Sequence, residues 1–512
     1  MKVDMMIDLP HLISHLQSIS SASARISADS RQIKVGDIFF AYPVGHGTAL
    51  RDGRQYIFSA LAAGAAAVVY DPKDIGAKYE GQANCFPVED LASHAGYLCA
   101  QWYGNPSQDL DVIGVTGTNG KTTITHWLAQ ALDTSEHRVA VLGTLGSGFL
   151  ESLEQTGYTT PDAPRLQTQL RDFLNRGAKQ VAMEVSSHSL DQERVAGVTF
   201  KCAVFTNLTQ DHLDYHCTMA DYAEAKAKLF QQPGLEDAVL NLDDPFGREL
   251  AIQLLAKNTS KVWGYALNEV AFKGFEKFGN RLLRTYVKDY KLSHLGYEAL
   301  FCCEGLASDL IHLSVLGQFN LSNCLAVWTA LLSQGLTSTE ASLRLSKLRP
   351  VAGRMEIVPL NKNHPMVVVD YAHTPDALEK ALLALRPVAQ ERGGKIWCVF
   401  GCGGDRDVAK RPQMGAIAQQ YADHVILTSD NPRSEEPESI IQMIRSEMRV
   451  DAQNVQVITD RAAAIMSAVR HAHPHDLVLV AGKGHESTQE INGKKFDFSD
   501  QQHIQLSAGG GV

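Results

Sequence analysis

The residues with the clearest chemical purpose in this chain lie in the run 114–123, which is Gly-Val-Thr-Gly-Thr-Asn-Gly-Lys-Thr-Thr. The run follows a short apolar strand pattern, 111–115, and precedes a helical pattern that starts near Thr122. A glycine-rich turn between a strand and a helix offers backbone N–H groups to an anion, and the helix N-terminus adds partial positive charge. Lys121 can reach the terminal phosphates, and the Thr122 hydroxyl can ligate Mg²⁺. The run therefore predicts a binding site for a nucleoside triphosphate.

The phosphate-binding motif departs from the usual spacing. A strict P-loop requires glycine at position 115, where this chain has Val115. A tight turn with a helix cap would also use glycines here, but the Lys-Thr pair after Gly120 favours phosphate binding. The residues predicted to bind ATP here are Gly117, Thr118, Asn119, Gly120, Lys121, Thr122 and Thr123.

Two other segments carry groups that can ligate Mg²⁺. Glu184 lies at the end of a predicted strand, 180–185, and a carboxylate there suits the metal that phosphoryl transfer requires. A surface or helix-capping acid is the alternative, and the P-loop in the same segment favours the metal. The loop 207–216 contains two histidines and two aspartates whose spacing matches no zinc motif. It could be a plain hydrogen-bonded loop, and we expect one magnesium contact, through His212.

Lys226 lies on a predicted helix, 219–230, beside the apolar residues Ala223, Ala227 and Phe230. Lysine side chains are almost never fully buried unless they are paired. Residue type alone therefore predicts a solvated lysine at position 226.

Arg406 and Arg433 follow two separate predicted strands in the last third of the chain. Two arginines that converge at strand ends suit bidentate capture of carboxylates, and surface salt bridges are the alternative. Asp370 and His373 could form an acid/base pair. A nucleotide contact, or an N-cap of the helix that starts at Pro375, explains them equally well.

The elements that must position these residues alternate between apolar strands and helical patterns. A helix is predicted from position 161, and the predicted strands of the last third of the chain are 366–370, 396–400, 424–428, 456–458 and 477–481. Strands rich in Val and Ile between helices predict parallel sheets, and ligands bind beyond the carboxyl ends of such strands. Polar loop composition explains any one of the motifs at these ends, but it explains all five poorly. The five motifs are 184–188, 370–373, 401–406, 430–433 and 482–486.

The length of 512 residues exceeds what one core supports, so two to four domains are expected. The pattern predicts an α/β protein of three segments: a small α/β domain over 1–90, a P-loop domain with a parallel sheet over 91–348, and a Rossmann-like domain over 349–512. A hinge near 349–350 would let the domains close.

Composition excludes several classes of protein. The net charge of −10 and the isoelectric point near 6.0 disfavour a general nucleic-acid binder. The nine cysteines contain no C-x-x-C pair, which predicts reduced thiols and no zinc site. No apolar run approaches the ~18 residues of a membrane span. We expect no signal peptide, a cytoplasmic location and a monomer.

Taken together, the motifs resemble those of the Mur ligase family, in order and over nearly the whole chain. The short P-loop is characteristic of that family, which accounts for Val115. The resemblance implies ATP-dependent formation of an amide bond in peptidoglycan synthesis, a cytoplasmic step of cell wall biogenesis that affects cell shape and division. The motifs are 117–123, 184–188, 207–215, 317–323, 353–354, 370–375 and 482–486.

Within the family, the chain is similar to the members that add a diamino acid to UDP-N-acetylmuramoyl-L-alanyl-D-glutamate. The segments that carry this similarity are 159–162, 183–188, 401–407 and 410–412. The segment 430–433, Asp-Asn-Pro-Arg, resembles the form in enzymes that use meso-diaminopimelate, and lysine-adding relatives differ there. Diaminopimelate has a terminal carboxylate that lysine lacks, and Arg433 offers a fork to bind it.

The resemblance also implies roles for residues that the patterns leave open. Lys226 matches a lysine that relatives carry as a carbamate (N6-carboxylysine), an anion that can ligate or orient Mg²⁺. ATP contacts are implied for Asn320, Asn323, Arg354 and Asp370. Contacts with the UDP-linked substrate are implied for Ser27, Ser30, Thr159, Thr160, Ser186, Gln192 and Arg194, and contacts with diaminopimelate for Arg406, Asp430, Asn431, Arg433, Gly482 and Glu486.

Three alternatives stay open from the sequence. A lysine-adding Mur ligase would differ in the amino acid that it uses. A folylpolyglutamate synthetase-like ligase shares the central and C-terminal architecture but lacks a UDP-binding first domain. A P-loop regulatory or transport ATPase would use the third domain only to bind a partner.

Overall fold

The computed structural model describes residues 9–21, 23–45, 50–293, 296–449 and 454–509. The chain divides into two compact units. The first unit comprises Met1–Leu208, Tyr215–Gly264 and Phe278–Leu282, and the second comprises Thr209–Asp214, Tyr265–Lys277 and Leu283–Val512. The three-segment division at 90 and 348 stays a prediction.

The N-terminal part of the first unit is built on a small parallel sheet with strand order β1-β2-β5-β6. The apolar side chains of β2 and β5 are fully buried, which explains why these runs pair as central strands. The strands are β1 (Ile26–Ser27), β2 (Ile38–Ala41), β3 (Pro43–Val44), β4 (Arg51–Asp52), β5 (Ala67–Tyr70) and β6 (Cys85–Pro87), and the helices are α1 (Leu9–Ile19), α2 (Ile57–Ala62) and α3 (Leu91–Trp102).

The rest of the first unit holds a larger sheet with strand order β10-β9-β8-β11-β7-β12-β13-β14. Strands β8, β11, β7, β12 and β13 are parallel, whereas β9 and β10 run antiparallel at one edge. The strands are β7 (Asp111–Thr116), β8 (Arg138–Gly143), β9 (Gly146–Phe149), β10 (Ser152–Glu154), β11 (Ala178–Glu184), β12 (Cys202–Phe205), β13 (Asp237–Asn241) and β14 (Lys261–Ala266). The helices are α4 (Lys121–Leu132), α5 (Ala163–Asn175), α6 (Ser187–Asp191), α7 (Leu213–His216), α8 (Met219–Ala227) and α9 (Pro245–Lys257).

The second unit contains antiparallel strands that the sequence patterns did not predict. Strand β16 pairs with β15, β17 and β18, all in antiparallel register. The elements are β15 (Leu282–Ser293), β16 (Gly296–Cys303), β17 (Leu306–Ala307), β18 (Ile311–Leu313), α10 (Gln318–Ser333) and α11 (Ser338–Leu345).

A six-stranded sheet of order β19-β20-β24-β21-β22-β23 forms the rest of the second unit. It is parallel except for β19 at one edge. The strands are β19 (Glu356–Val358), β20 (Met366–Asp370), β21 (Ile396–Phe400), β22 (His424–Leu427), β23 (Val455–Val457), β24 (Leu477–Ala481), β25 (Thr488–Ile491) and β26 (Lys494–Asp497). The helices are α12 (Pro375–Glu391), α13 (Lys410–Tyr421), α14 (Pro437–Arg445), α15 (Arg461–His471) and α16 (Asp500–Gly509).

Strand β20 shows why this sheet is covered on both faces. Val368 belongs to an apolar core that includes Leu382 of α12, whereas Val367 and Val369 belong to a second core that includes Ile465 of α15. Successive side chains of a strand point to opposite faces, so the run Val367–Val369 must bury both. The predicted α/β class with parallel sheets is confirmed.

Several predicted helix bounds differ from the structure for local reasons. The helix expected over 219–230 ends at Ala227, and a 3-10 helix, Lys228–Gln231, follows it. The helix expected from position 161 starts at Ala163, because Asp162 is its N-cap and accepts a hydrogen bond from the Arg165 amide. Among the described residues, no helix is long and apolar enough to cross a membrane.

Candidate active site

The glycine-rich turn between β7 and α4 is held against the end of β12. Gly117 has a φ of 142°, and a Cβ atom on it would lie 1.9 Å from Thr206 Oγ1. The Thr118 amide donates to Asn207 O at 2.8 Å, and the Asn119 amide donates to Asn207 Oδ1 at 3.0 Å. Glycine at 117 is thus required both by the backbone angle and by the lack of space.

Two lysines meet at the same carbonyl of this turn. Lys121 Nζ donates to Gly117 O and to Thr118 O, both at 2.9 Å, and Lys226 Nζ donates to Gly117 O at 3.0 Å. Lys226 is 1% exposed and lies 4.2 Å from the ring centre of Tyr222, whose hydroxyl is 3.2 Å from Thr118 Oγ1. The prediction from residue type that Lys226 is solvated is therefore wrong, because the side chain is buried against the phosphate-binding turn.

Glu184 lies at the carboxyl end of β11, beside the P-loop strand β7. Its Oε1 accepts a hydrogen bond from the Thr144 amide at 2.8 Å, and its Oε2 accepts one from Thr144 Oγ1 at 3.2 Å. The carboxylate is 1% exposed, so the alternative of a surface acid is excluded. Each carboxylate oxygen retains capacity for a further bond, since a carboxylate offers about four lone-pair sites.

The oxygen donors of this region fit a magnesium ion. Mg²⁺ prefers carboxylate and hydroxyl oxygens and keeps several waters, so one or two protein ligands suffice. Glu184 would offer the carboxylate, and Thr122, buried in the first turn of α4 with Thr123, would offer a hydroxyl. No group of three or more His, Cys, Asp or Glu side chains that could hold a metal occurs within the described ranges.

His212 belongs to the second unit, in the segment Thr209–Asp214, whereas Glu184, Thr122 and Lys226 belong to the first. Its amide donates to Asp211 Oδ1 at 2.9 Å, and its Nε2 lies 3.4 Å from Asp211 Oδ2. The magnesium contact through His212 stays a prediction.

Four of the residues expected to hold the UDP-linked substrate form one hydrogen-bonded group. Arg194 Nη1 donates to Thr160 O at 3.0 Å, and Arg194 Nε donates to Gln192 Oε1 at 2.9 Å. The Ser186 amide donates to Thr160 Oγ1 at 3.1 Å. Burial lowers the pKa of the Arg194 guanidinium from its ordinary value. Thr159 is close to this group, with its Oγ1 3.1 Å from Thr144 Oγ1.

Ser27 and Ser30 lie at the carboxyl end of β1 in the small N-terminal sheet. Ser27 Oγ accepts a hydrogen bond from the Asp29 amide at 3.0 Å, and Ser30 begins a 3-10 helix, Ser30–Gln32. Asp29 caps that helix by accepting from the Arg31 amide. The position at a strand end suits a ligand site, and the UDP contacts stay a prediction.

Three of the residues that are expected to contact ATP lie in the second unit and are held by hydrogen bonds. Asn320 and Asn323 are buried on α10, where Asn323 Nδ2 donates to Asn320 Oδ1 at 3.1 Å. Asp370 accepts from the amides of Met355 at 2.7 Å and Ala372 at 2.8 Å. Burial raises the pKa of Asp370, and the nearby Arg354 charge opposes that rise.

Two alternatives for Asp370 and His373 are not supported. The N-cap of α12 is Thr374, whose side chain accepts from the Ala377 amide, so Asp370 does not cap this helix. His373 Nδ1 contacts Tyr371 O, the Asp370 oxygens accept the amides of Met355 and Ala372, and no hydrogen bond joins the two described side chains. Burial lowers the pKa of His373.

Arg406 and Arg433 come together around Gly403. A Cβ atom at Gly403 would lie 3.0 Å from Arg433 Nη1 and 3.8 Å from Arg406 Cγ. Arg433 Nη1 donates to Gly404 O at 2.6 Å, and its Nε lies 3.6 Å from Glu490 Oε2. Both arginines thus flank Gly403, and Arg433 also makes a salt bridge; the capture of a carboxylate by the pair stays a prediction.

The segment after β24 meets the segment after β22. Asn431 Nδ2 donates to Glu486 Oε2 at 2.8 Å, and Lys483 Nζ donates to Asn431 Oδ1 at 3.0 Å and to Glu486 Oε2 at 2.9 Å. Gly482 has a φ of 110°, and a Cβ on it would lie 2.4 Å from Asp430 Oδ2. Four predicted ligand residues, Asp430, Asn431, Gly482 and Glu486, thus form one cluster.

Sequence reasoning missed three charged residues that hold these loops. Arg411, whose side chain is fully buried, donates to both Glu435 oxygens, at 2.7 and 2.8 Å, and to Gly403 O at 3.1 Å. Glu435 Oε1 also accepts the Asp405 amide at 2.6 Å. Lys483 is the third. The signal for Lys483 is its position between Gly482 and Gly484, directly after an apolar strand.

The sequence of this chain matches known protein families and relatives. The Mur ligase middle domain matches residues 115–331, and the Mur ligase glutamate ligase domain matches residues 353–484. The UDP-N-acetylmuramoyl-L-alanyl-D-glutamate–2,6-diaminopimelate ligase of Ralstonia nicotianae is 49% identical over 98% of this chain and 96% of its own length.

Two solved structures are similar over almost the whole chain. A UDP-N-acetylmuramoyl-L-alanyl-D-glutamate–2,6-diaminopimelate ligase superimposes with a TM-score of 0.66 and 35% identity, covering 97% of this chain and 98% of that one. A MurF ligase from Thermotoga maritima in complex with ADP gives a TM-score of 0.63 at 18% identity, covering 95% and 97%. The second likeness shows the shared fold alone.

Proposed function

Because this chain belongs to the Mur ligase family, we propose that it joins meso-diaminopimelate to UDP-N-acetylmuramoyl-L-alanyl-D-glutamate with ATP, in peptidoglycan precursor synthesis. It is an ATP-dependent carbon–nitrogen ligase. The observation that supports diaminopimelate as the substrate is the position of Arg433. It lies beside Arg406 and the Asn431–Glu486 cluster, at the carboxyl ends of parallel strands. Guanidinium forks bind carboxylates in a bidentate manner, and diaminopimelate has one carboxylate more than lysine.

The P-loop supports ATP as the energy source. The backbone N–H groups of the turn and the start of α4 suit the phosphates, and Lys121 can leave its two carbonyl acceptors to pair with them. Glu184 and Thr122 would hold Mg²⁺, which supplies charge neutralisation at the phosphates. Lys226 is the candidate for carbamylation, and that modification would replace its cation beside Gly117 O with an anion.

The chemistry that we propose has two steps. The D-glutamate side-chain carboxylate attacks the γ-phosphorus of ATP, which forms an acyl phosphate and releases ADP. The neutral amine of diaminopimelate then attacks the acyl carbon, phosphate leaves, and the amine proton passes to a base or water. Lys121 stabilises charge in the first step, while the arginines and Glu486 orient the diamino acid for the second.

The remaining substrate contacts are proposed from the resemblance to other Mur ligases. The group around Arg194 would hold the UDP-linked dipeptide, with Ser27 and Ser30 near its nucleotide. Asn320, Asn323, Arg354 and Asp370 would contact ATP. We also propose a monomer that works in the cytoplasm.

A phosphate-release assay tests the proposal. The enzyme is mixed with ATP, Mg²⁺ and the UDP-linked dipeptide, and either meso-diaminopimelate or lysine is added. Phosphate release should depend on diaminopimelate, and lysine should be used at least about a hundredfold less well, because the arginine fork would stay unpaired. Equal use of lysine would indicate a lysine-adding ligase. Phosphate release that is independent of any amino acid would indicate a regulatory or transport ATPase, and use of a folate with glutamate would indicate a folylpolyglutamate synthetase.

A further inference from the structure

The cluster after β24 contains a lysine that the proposed reaction does not use. Lys483 is 0% exposed and lies two positions after the last residue of β24. Its ammonium group donates to Asn431 Oδ1 at 3.0 Å and to Glu486 Oε2 at 2.9 Å. Burying a charged lysine costs free energy unless the ammonium group is paired. Its two acceptors therefore indicate that Lys483 has a structural role in this cluster.

The backbone holds Lys483 in one place. Gly482 and Gly484 on either side of it have φ values of 110° and 56°. The Gly482 amide donates to Asp370 O at 3.1 Å, and Gly484 O accepts from Gln501 Nε2 at 3.1 Å. Both neighbours of Lys483 are therefore hydrogen-bonded to other segments, which fixes the backbone at Lys483.

Lys483 also determines how Asn431 is oriented. Asn431 Oδ1 accepts from Lys483 Nζ and from the Glu490 amide, both at 3.0 Å. With two donors on its oxygen, the side-chain amide must direct Nδ2 elsewhere, and Nδ2 donates to Glu486 Oε2 at 2.8 Å.

Glu486 is consequently held by one oxygen. Oε2 accepts from both Lys483 and Asn431, whereas Oε1 accepts no hydrogen bond from the residues that the structure describes. The side chain is 30% exposed, so a ligand can reach it. An ionised carboxylate with one fixed oxygen and one open oxygen is a directional acceptor for an ammonium group.

We propose that Lys483 is a positioning residue of the diamino-acid site, which holds Glu486 and Asn431 so that Glu486 Oε1 accepts from an ammonium group of the substrate. This inference rests on the proposed function. Lys483 itself touches neither the substrate nor the reacting atoms.

The test is a double-mutant cycle in the full-length enzyme, with KM measured separately for meso-diaminopimelate and ATP. Lys483→Met should raise the KM for diaminopimelate roughly ten- to a hundredfold, because Asn431 Oδ1 and Glu486 Oε2 each lose one of their two donors. The KM for ATP should stay within about twofold, since the P-loop is unaffected. Lys395→Met is the matched control, because that lysine is exposed just before β21, at the amino-terminal end of the strand and away from the carboxyl ends that carry the site.

The double variant Lys483→Met/Glu486→Gln tests whether Lys483 acts through Glu486. Glu486→Gln alone should raise the KM for diaminopimelate, and adding Lys483→Met should change it less than about threefold. Removing both charges also guards against misfolding, because a neutral pair costs less than one unpaired buried charge. If the increases in the KM for diaminopimelate caused by the two single substitutions multiply in the double variant, the inference is overturned. Equal increases in the KM for diaminopimelate and the KM for ATP would also overturn it. If the native enzyme shows no diaminopimelate-dependent phosphate release, the proposed function fails instead.

Discussion

Arg433 has a left-handed backbone conformation, with a φ of 51°, and its Nη1 donates to Gly404 O. Arg433→Lys keeps the positive charge but removes the planar fork. We expect the KM for meso-diaminopimelate to rise roughly tenfold or more, with the KM for ATP unchanged, because one lysine cannot replace a bidentate contact. Steady-state kinetics with each substrate varied in turn measures this.

Arg470→Lys is the matched control for this prediction. Arg470 is exposed in the last turn of α15, so its replacement by lysine should leave both KM values unchanged. A loss of affinity for ATP in Arg433→Lys as large as the loss for diaminopimelate would contradict the assigned role.

Some side chains of the candidate site can be predicted from the sequence, and others cannot. The P-loop, Glu184 and the arginine pair were predicted from residue type and strand ends, because such positions share an edge of a parallel sheet. Lys226 was not, since its burial depends on Gly117 O, 109 residues away in the chain. Lys483 was missed for the same reason, because its acceptor Asn431 lies 52 residues away.

At the scale of elements, the first turn of α13 is tied to the loop after β22. Arg411 donates to both Glu435 oxygens and to Gly403 O, so one ion pair connects the loop that carries Arg406 with the loop that carries Arg433. Hydrogen bonds from Arg411 lower the pKa of Glu435 from 4.5 to about 2.

The lowered pKa makes the stability of this connection depend on pH. The pKa of Glu435 is lower in the folded state than in the unfolded state, so the stabilisation is fully present above about pH 4.5 and is lost as pH falls towards about 2. Glu435→Gln should therefore lower the free energy of unfolding at pH 7, and the difference from the native protein should shrink between about pH 5 and pH 3. Urea unfolding across this range measures the difference.

Glu447→Gln, at an exposed position beyond α14, is the control and should show no such pH-dependent difference. A difference between Glu435→Gln and the native protein that stayed constant down to pH 3 would contradict a native ion pair.

The strands of the last sheet were predicted closely, and the antiparallel strands of the second unit were not. Met366–Asp370, Ile396–Phe400 and Leu477–Ala481 are short buried runs whose β-branched residues stand out in the sequence. Strand β15 contains a register shift between Val287 and Asp289, which breaks the period of two that would identify it. Its pairing with β16 also depends on contacts that no local pattern encodes.

At the scale of the whole molecule, the P-loop belongs to one compact unit and the residues assigned to diaminopimelate belong to the other. The two proposed steps use these residues separately. A substitution confined to the residues assigned to diaminopimelate should therefore leave the first step intact, and damage to the P-loop should abolish both steps.

Rapid-quench measurement of ADP, with ATP and the UDP-linked dipeptide but no diamino acid, tests this separation. The native enzyme should form about one ADP per active site in a burst, because the acyl phosphate has no amine to consume it. Arg433→Lys should keep the burst. Gly117→Ala should lose it, since the added Cβ would lie 1.9 Å from Thr206 Oγ1. Gly177→Ala should keep it, because Gly177 also has positive φ but open space around its Cα. Loss of the burst in Arg433→Lys would show that the first step requires the second unit's arginine, contrary to the assignment.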